Sequence, residues 1–232
     1  QIKHHMLVVP LSQQYNLTVS SASQRSSNIF SFMFSDHQSQ FKNTDSQEYM
    51  LNYRNFAKIT KWMDFSLSGM LHYSKDNNNG CSLATIQALS PYDMLIDENG
   101  DYLNVINDYY QPIIENQVPV EKFPYSDWSY NPLSEMDNRD LTTQKLNIRL
   151  QAGITLQLLK GLSYDAKVQY EILQDESRNL YKEGSYYVRN LVNTSSTWNK
   201  TDGTVTPNLM KGDILEERQV RTTGYNFRNQ LN

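Results

Sequence analysis

The sequence predicts an all-β fold: long antiparallel meander strands, part of a large transmembrane β-barrel, with long surface loops carrying short helical pieces. Three observations predict it. Apolar and polar residues alternate with period two over stretches longer than the roughly five or six residues usual in soluble strands. The connections between stretches are either tight or very long, as in outer-membrane barrels. Tyr49, Trp62, Tyr73 and Tyr164 fall near strand ends, where aromatic rings suit the lipid–water boundary.

Taken in order, strands are expected over about 14–74, a long loop over 75–140, strands over 141–175, a loop over 176–211 and a strand over 212–232. Tyr15, Leu17 and Val19 share one face of a first strand, and Phe30, Phe32 and Phe34 one face of the next. Residues 48–58 form a strand with mixed faces, and 59–62 a tight turn. Phe65, Leu67, Gly69, Leu71 and Tyr73 then alternate with polar neighbours. The long loop holds a short helix over 82–89, stopped by Pro91, and a small hairpin around Asn99-Gly100. The clearest strand has Leu146, Ile148, Leu150, Ala152, Ile154, Leu156 and Leu158 on one side. Lys145, Asn147, Arg149, Gln151, Thr155 and Gln157 lie on the other. A turn at Gly161 leads to Leu162, Tyr164, Ala166, Val168, Tyr170 and Ile172, completing a hairpin. Thr223, Tyr225, Phe227 and Leu231 alternate again at the end. A soluble sandwich strand also alternates, so a soluble all-β carbohydrate-binding module stays open; there the Leu row would be a core between two sheets.

Composition narrows the function classes. Hydrophobic residues make up 38% of the 232 residues and the mean hydropathy is -0.65, yet there are 16 Tyr. A disordered chain would be poor in aromatics, so order is expected. Lys and Arg number 21 against 25 Asp and Glu, scattered along the chain. With no basic block to neutralise phosphates, nucleic acid is not an expected partner. The single cysteine, Cys81, excludes an internal disulfide framework and reads as a small packing residue. No run of about 18 apolar residues exists for a transmembrane helix, which leaves barrel strands unaffected. Residues 1–10 lack the pattern of a secretory signal. Either the protein stays in the cytoplasm or the sequence is a piece of a longer one.

The candidate ligand-binding residues are Tyr109, Tyr110, Tyr125, Trp128 and Tyr130, in an aromatic loop with Phe123. Flat rings can dock sugar CH faces, with Asp127 or Asn131 reading hydroxyls. The plainer reading is that these rings pack the loop onto its neighbours. Asp97, Asn99 and Asp101 have calcium-loop spacing, but Tyr102 stands where glycine is needed and Asp108 at the twelfth position. A turn at Asn99-Gly100 explains the same residues. His4, His5, His37 and His72 show no metal spacing, so neither metal nor cofactor is expected. There is no nucleophile elbow, phosphate loop or metalloprotease motif, and no enzymatic activity is expected.

Several segments together resemble the SusC/RagA-type family of TonB-linked outer-membrane transporters of the Bacteroidetes. They are Gln-Tyr-Asn-Leu-Thr-Val-Ser (14–20), Phe-Ala-Lys-Ile-Thr-Lys-Trp (56–62), Asn-Pro-Leu-Ser-Glu (131–135), Leu-Lys-Gly-Leu (159–162), Ser-Tyr-Tyr-Val-Arg-Asn-Leu (185–191) and Tyr-Asn-Phe-Arg-Asn-Gln-Leu (225–231). They follow the family's order. The family usually has Gly-Gly after the Tyr-Asn-Leu strand, where this sequence has Ser21-Ala22-Ser23. The resemblance implies a stretch from the first half of a barrel of about 22 strands, cut from a longer protein with an N-terminal plug. It implies import of oligosaccharides or peptides across the outer membrane, powered by TonB, beneath a SusD-type surface lipoprotein. A seven-strand slice would leave two open edges and an apolar wall.

Overall fold

The computed structural model describes residues 1–105 and 108–232. Seven long strands form one antiparallel meander, each paired with the next in sequence: β1 (Leu11–Ala22), β2 (Ser26–Gln38), β3 (Asp45–Lys58), β4 (Met63–Asn78), β5 (Arg139–Leu159), β6 (Leu162–Tyr181) and, after two short strands in a loop, β9 (Ile214–Leu231). β7 (Thr197–Asn199) and β8 (Thr204–Thr206) pair only with each other. The fold is all-β, as the alternation predicts.

The register turns seven separate alternations into one surface. Tyr15 faces Phe34, Phe34 faces Tyr49, Tyr49 faces Tyr73 and Tyr73 faces Leu146. The rings of the first four stand 6.3, 4.9 and 6.2 Å apart in succession. The next row toward the loops on the same face is Gln13, Asp36, Gln47, Lys75, Gln144, Glu176 and Gln219, without one apolar residue. Away from the loops the face is apolar again, with Leu17, Phe32, Leu51, Leu71, Ile148 and Ile172 in one row. On β5 the band runs from Leu146 to Leu156. At ~3.4 Å per residue and a ~40° tilt, that is ~25 Å of height, which equals the height of the apolar band on transmembrane barrels. No other layer covers it among the described residues. Leu17 is 56% exposed, Leu150 52% and Phe227 71%, so the row that a sandwich would bury faces outward.

The two ends of the sheet differ. Residues 23–25, 59–62 and 160–161 close one end. Gly161 sits at φ +84°, a left-handed conformation that only glycine adopts without strain. At the other end lie 39–44, 79–138 and 182–213. There the chain builds a cap from α1 (Ile2–His5), α2 (Leu83–Gln87), α3 (Gln111–Gln117), α4 (Pro132–Asp137) and α5 (Tyr186–Ser195). Ser82 caps α2 by accepting from the Thr85 amide at 3.2 Å. A small core of Met6, Cys81, Leu95, Val105, Leu133 and Met136 lies within the cap. Burial pushes the Cys81 thiol pKa up, in keeping with a packing role.

Candidate functional site

Polar clamps fix the aromatic loop. Asn131, 5% exposed, caps α4 by accepting from the Leu133 amide at 2.8 Å. Its amide donates to the Leu95 and Leu103 carbonyls, both at 2.7 Å. Those bonds occupy the side chain, so Asn131 does not read a ligand hydroxyl. Arg189 of α5 donates to the Asp127 carboxylate and, at 2.9 Å, to the Ser129 carbonyl. Asn193, one turn on, accepts from the Tyr125 amide at 3.0 Å and donates to its carbonyl at 2.8 Å. Buried Glu135 holds Arg139 at 2.7 Å and also accepts from the Tyr186 amide, joining α4 to α5.

The structure divides the five candidate aromatics. Tyr109 and Trp128 meet edge to face at 5.6 Å, Phe123 lies 5.3 Å from Trp128, and Trp198 lies 6.2 Å from Phe123. Each ring in that group therefore packs against at least one other. The Trp128 and Trp198 indole N–H groups are buried without partners among the described residues. Tyr130 turns inward, packs on the cap core and meets Tyr186 at 5.4 Å. Tyr125 donates to Glu183 at 3.1 Å, accepts from the Gly212 amide at 3.2 Å and lies under the Lys211 ammonium at 4.9 Å. Tyr110 precedes α3 and stays 57% exposed. Tyr109 and Tyr110 are thus the members left open to solvent, while Tyr125 and Tyr130 are tied into the cap.

The loop carboxylates are also in use. Asp97 accepts from the amides of Asn99 and Asp101, both at 2.8 Å, which closes the small hairpin at the Ile96–Tyr102 bridge. No group of three or more metal-ligating side chains occurs among the described residues.

The sheet face opposite the apolar band is largely polar and carries several side-chain pairs. His72 Nε2 meets Glu48 Oε1 at 2.7 Å. Arg149 places Nε at 3.2 Å and Nη2 at 2.7 Å from Glu171 Oε1. Thr155 donates to Asp165 at 2.6 Å. Alternation had placed Arg149, Gln151 and His72 on this face. The sequence reading missed α5, the element that positions the aromatic loop. Its signal was present: Ser185 before Val188, then Val188/Val192 and Arg189/Asn193 at i,i+4 spacing.

No protein-family model matches the sequence, and no curated protein matches it. Solved structures do. The chain is similar to a chain of the RagAB peptide transporter (TM-score 0.66, 14% identity), over 98% of its own length and 23% of that chain. It is likewise similar to the RagAB peptide importer in a "closed-closed" state (TM-score 0.66, 13% identity), over 98% of its length and 22% of that chain. The chain thus spans under a quarter of the length of the structures it matches, and at these identities the likeness shows a shared fold.

Proposed function

We propose that this chain is barrel wall and surface loop of a SusC/RagA-type, TonB-linked importer in the outer membrane. It takes up oligosaccharides or peptides with a SusD-type lipoprotein and has no catalytic role. The observation that carries the reading is the apolar band. It runs across the whole meander, is bounded by a row of touching aromatic rings, and backs onto a face of paired polar groups. Lipid is the solvent that suits the first face, and a wet lumen suits the second. The long loops then face outside and the short turns face the periplasm. The similarity to the RagAB transporter and importer supports the same reading, and the word "peptide" in those names keeps peptides beside glycans as cargo.

The test uses the full-length parent protein in vesicles, with Cys81→Ser as background. Single cysteines at 146 to 152 carry a fluorophore. A lipid-borne quencher should reach the even positions and an aqueous quencher the odd ones. Equal quenching at Ile148 and Arg149 would remove the wall assignment.

A further inference from the structure

A concavity of about 550 Å³ opens on the polar face across β2, β3, β4 and β5. The register sets Arg54 beside Ser68, and Ser68 beside Gln151. The adjacent row is Asn52, Met70 and Arg149. All six line the hollow, so two guanidinium groups share it with amides and hydroxyls. No carboxylate belongs to its lining.

The two arginines differ in state. Arg149 is paired with Glu171. Arg54 has no ion pair among the described residues. Glu48, the acid on the same face of its own strand, is taken by His72. The hollow therefore carries net positive charge in a chain whose formal net charge is -4. Arg54 is exposed, so water solvates its guanidinium and leaves it open to an incoming anion, with the low-dielectric wall behind it. The same wall focuses its field into the opening. A guanidinium matches a carboxylate through two parallel N–H···O bonds, and neighbouring hydroxyls and amides can satisfy the remaining oxygen lone pairs.

We propose that the Arg54 hollow is a carboxylate-binding site on the transport path, which makes acidic oligomers the favoured cargo: peptides bearing Asp or Glu, or glycans bearing uronic acids. This rests on the importer reading and narrows its substrate class. The shared chemistry is the carboxylate, and the choice of probe separates the two sources.

The experiment measures binding to the full-length protein in nanodiscs. The probes are fluorescent hexapeptides containing Glu or Gln at the same positions, and glucuronate or glucose oligomers. The wild type should bind one acidic probe about 10-fold more tightly than its neutral counterpart, the scale of a charge-assisted hydrogen bond. Arg54→Gln should abolish that preference while leaving neutral affinity within about 2-fold. Arg54→Lys should keep part of it. Added salt should shrink the preference, since salt ions compete for and screen exposed charges. Equal binding of acidic and neutral probes by the wild type would overturn the carboxylate site and leave the importer reading standing. So would an Arg54→Gln variant that loses thermal stability but keeps its preference, because Arg54 would then serve an acidic group of the protein itself. A wild type that binds no probe at all would count against the importer reading, and the site would fall with it.

Discussion

Glu135 of α4 ties the cap to both β5 and α5. Its side chain is 5% exposed, pairs with Arg139 and also receives the first amide of α5. Removing one partner of a buried pair leaves the other charge uncompensated, at a cost of roughly 3–5 kcal/mol. Glu135→Ala should therefore loosen the cap without disturbing the sheet. Limited proteolysis should cut within 79–138 far faster in the variant, with strand circular dichroism unchanged. Tyr102 offers a gentler probe of the same region. Its hydroxyl donates to Asp137 at 2.6 Å, and that bond, ahead of burial and charge repulsion, pushes its pKa up to about 12. A raised folded value means the contribution is complete below the unfolded value near 10 and is lost as pH rises through about 12. An ultraviolet titration should show Tyr102 ionising late, in company with the loop tyrosines Tyr125, Tyr130 and Tyr187, whose values are also raised, and Asp137→Asn should return one tyrosine toward the ordinary range. A titration that Asp137→Asn leaves unchanged would remove the bond. Little of this was readable beforehand. Tyr109, Tyr110, Tyr125, Trp128 and Tyr130 form a visible aromatic cluster in sequence, but which rings pack and which stay open depends on Arg189 and Asn193, some 60 residues later. No local pattern carries that information.

At the scale of elements, the strands were legible wherever one face is apolar and the other polar. Residues 146–158 and 162–172 alternate strictly for that reason. Beyond the aromatic row both faces carry mainly polar residues, so the alternation stops while the backbone ladder continues. This explains why β6 runs to Tyr181, past the expected loop start at 176, with Arg178 facing Glu217 across the ladder at 3.6 Å. It also explains why β5 begins at Arg139 rather than at the first alternating leucine. The same asymmetry makes a quantitative prediction. Leu150 lies near mid-depth of the band, between Leu146 and Leu156. Leu150→Arg should destabilise the full-length barrel by about 2–4 kcal/mol in vesicle-based unfolding. Gln169 sits on the polar face, one row from Leu150. Gln169→Arg should stay within ~0.5 kcal/mol. Equal costs would mean that the two faces see the same solvent.

On the scale of the whole molecule, the sheet is a single layer with free edges at β1 and β9 and an uncovered apolar face. Tyr225 and Phe227 on β9 are 79% and 71% exposed, and Leu17 and Val19 on β1 are 56% and 54% exposed. Edge ladders and an apolar patch of this size both drive association in water. The cap behaves differently, because it has a small buried core and internal hydrogen bonds such as those of Asn131 and Glu135. The isolated chain should therefore elute as aggregate or edge-paired oligomer in plain buffer. In detergent it should give a β-rich circular dichroism spectrum and a smaller, discrete species. Size-exclusion chromatography with circular dichroism, with and without detergent, decides the matter. A folded β-rich monomer in buffer alone would require something to cover the Leu146–Leu156 row. That would favour the soluble module, with the aromatic loop as its ligand site. Dependence on detergent would mean that lipid completes this fold, as burial against a second layer completes a sandwich.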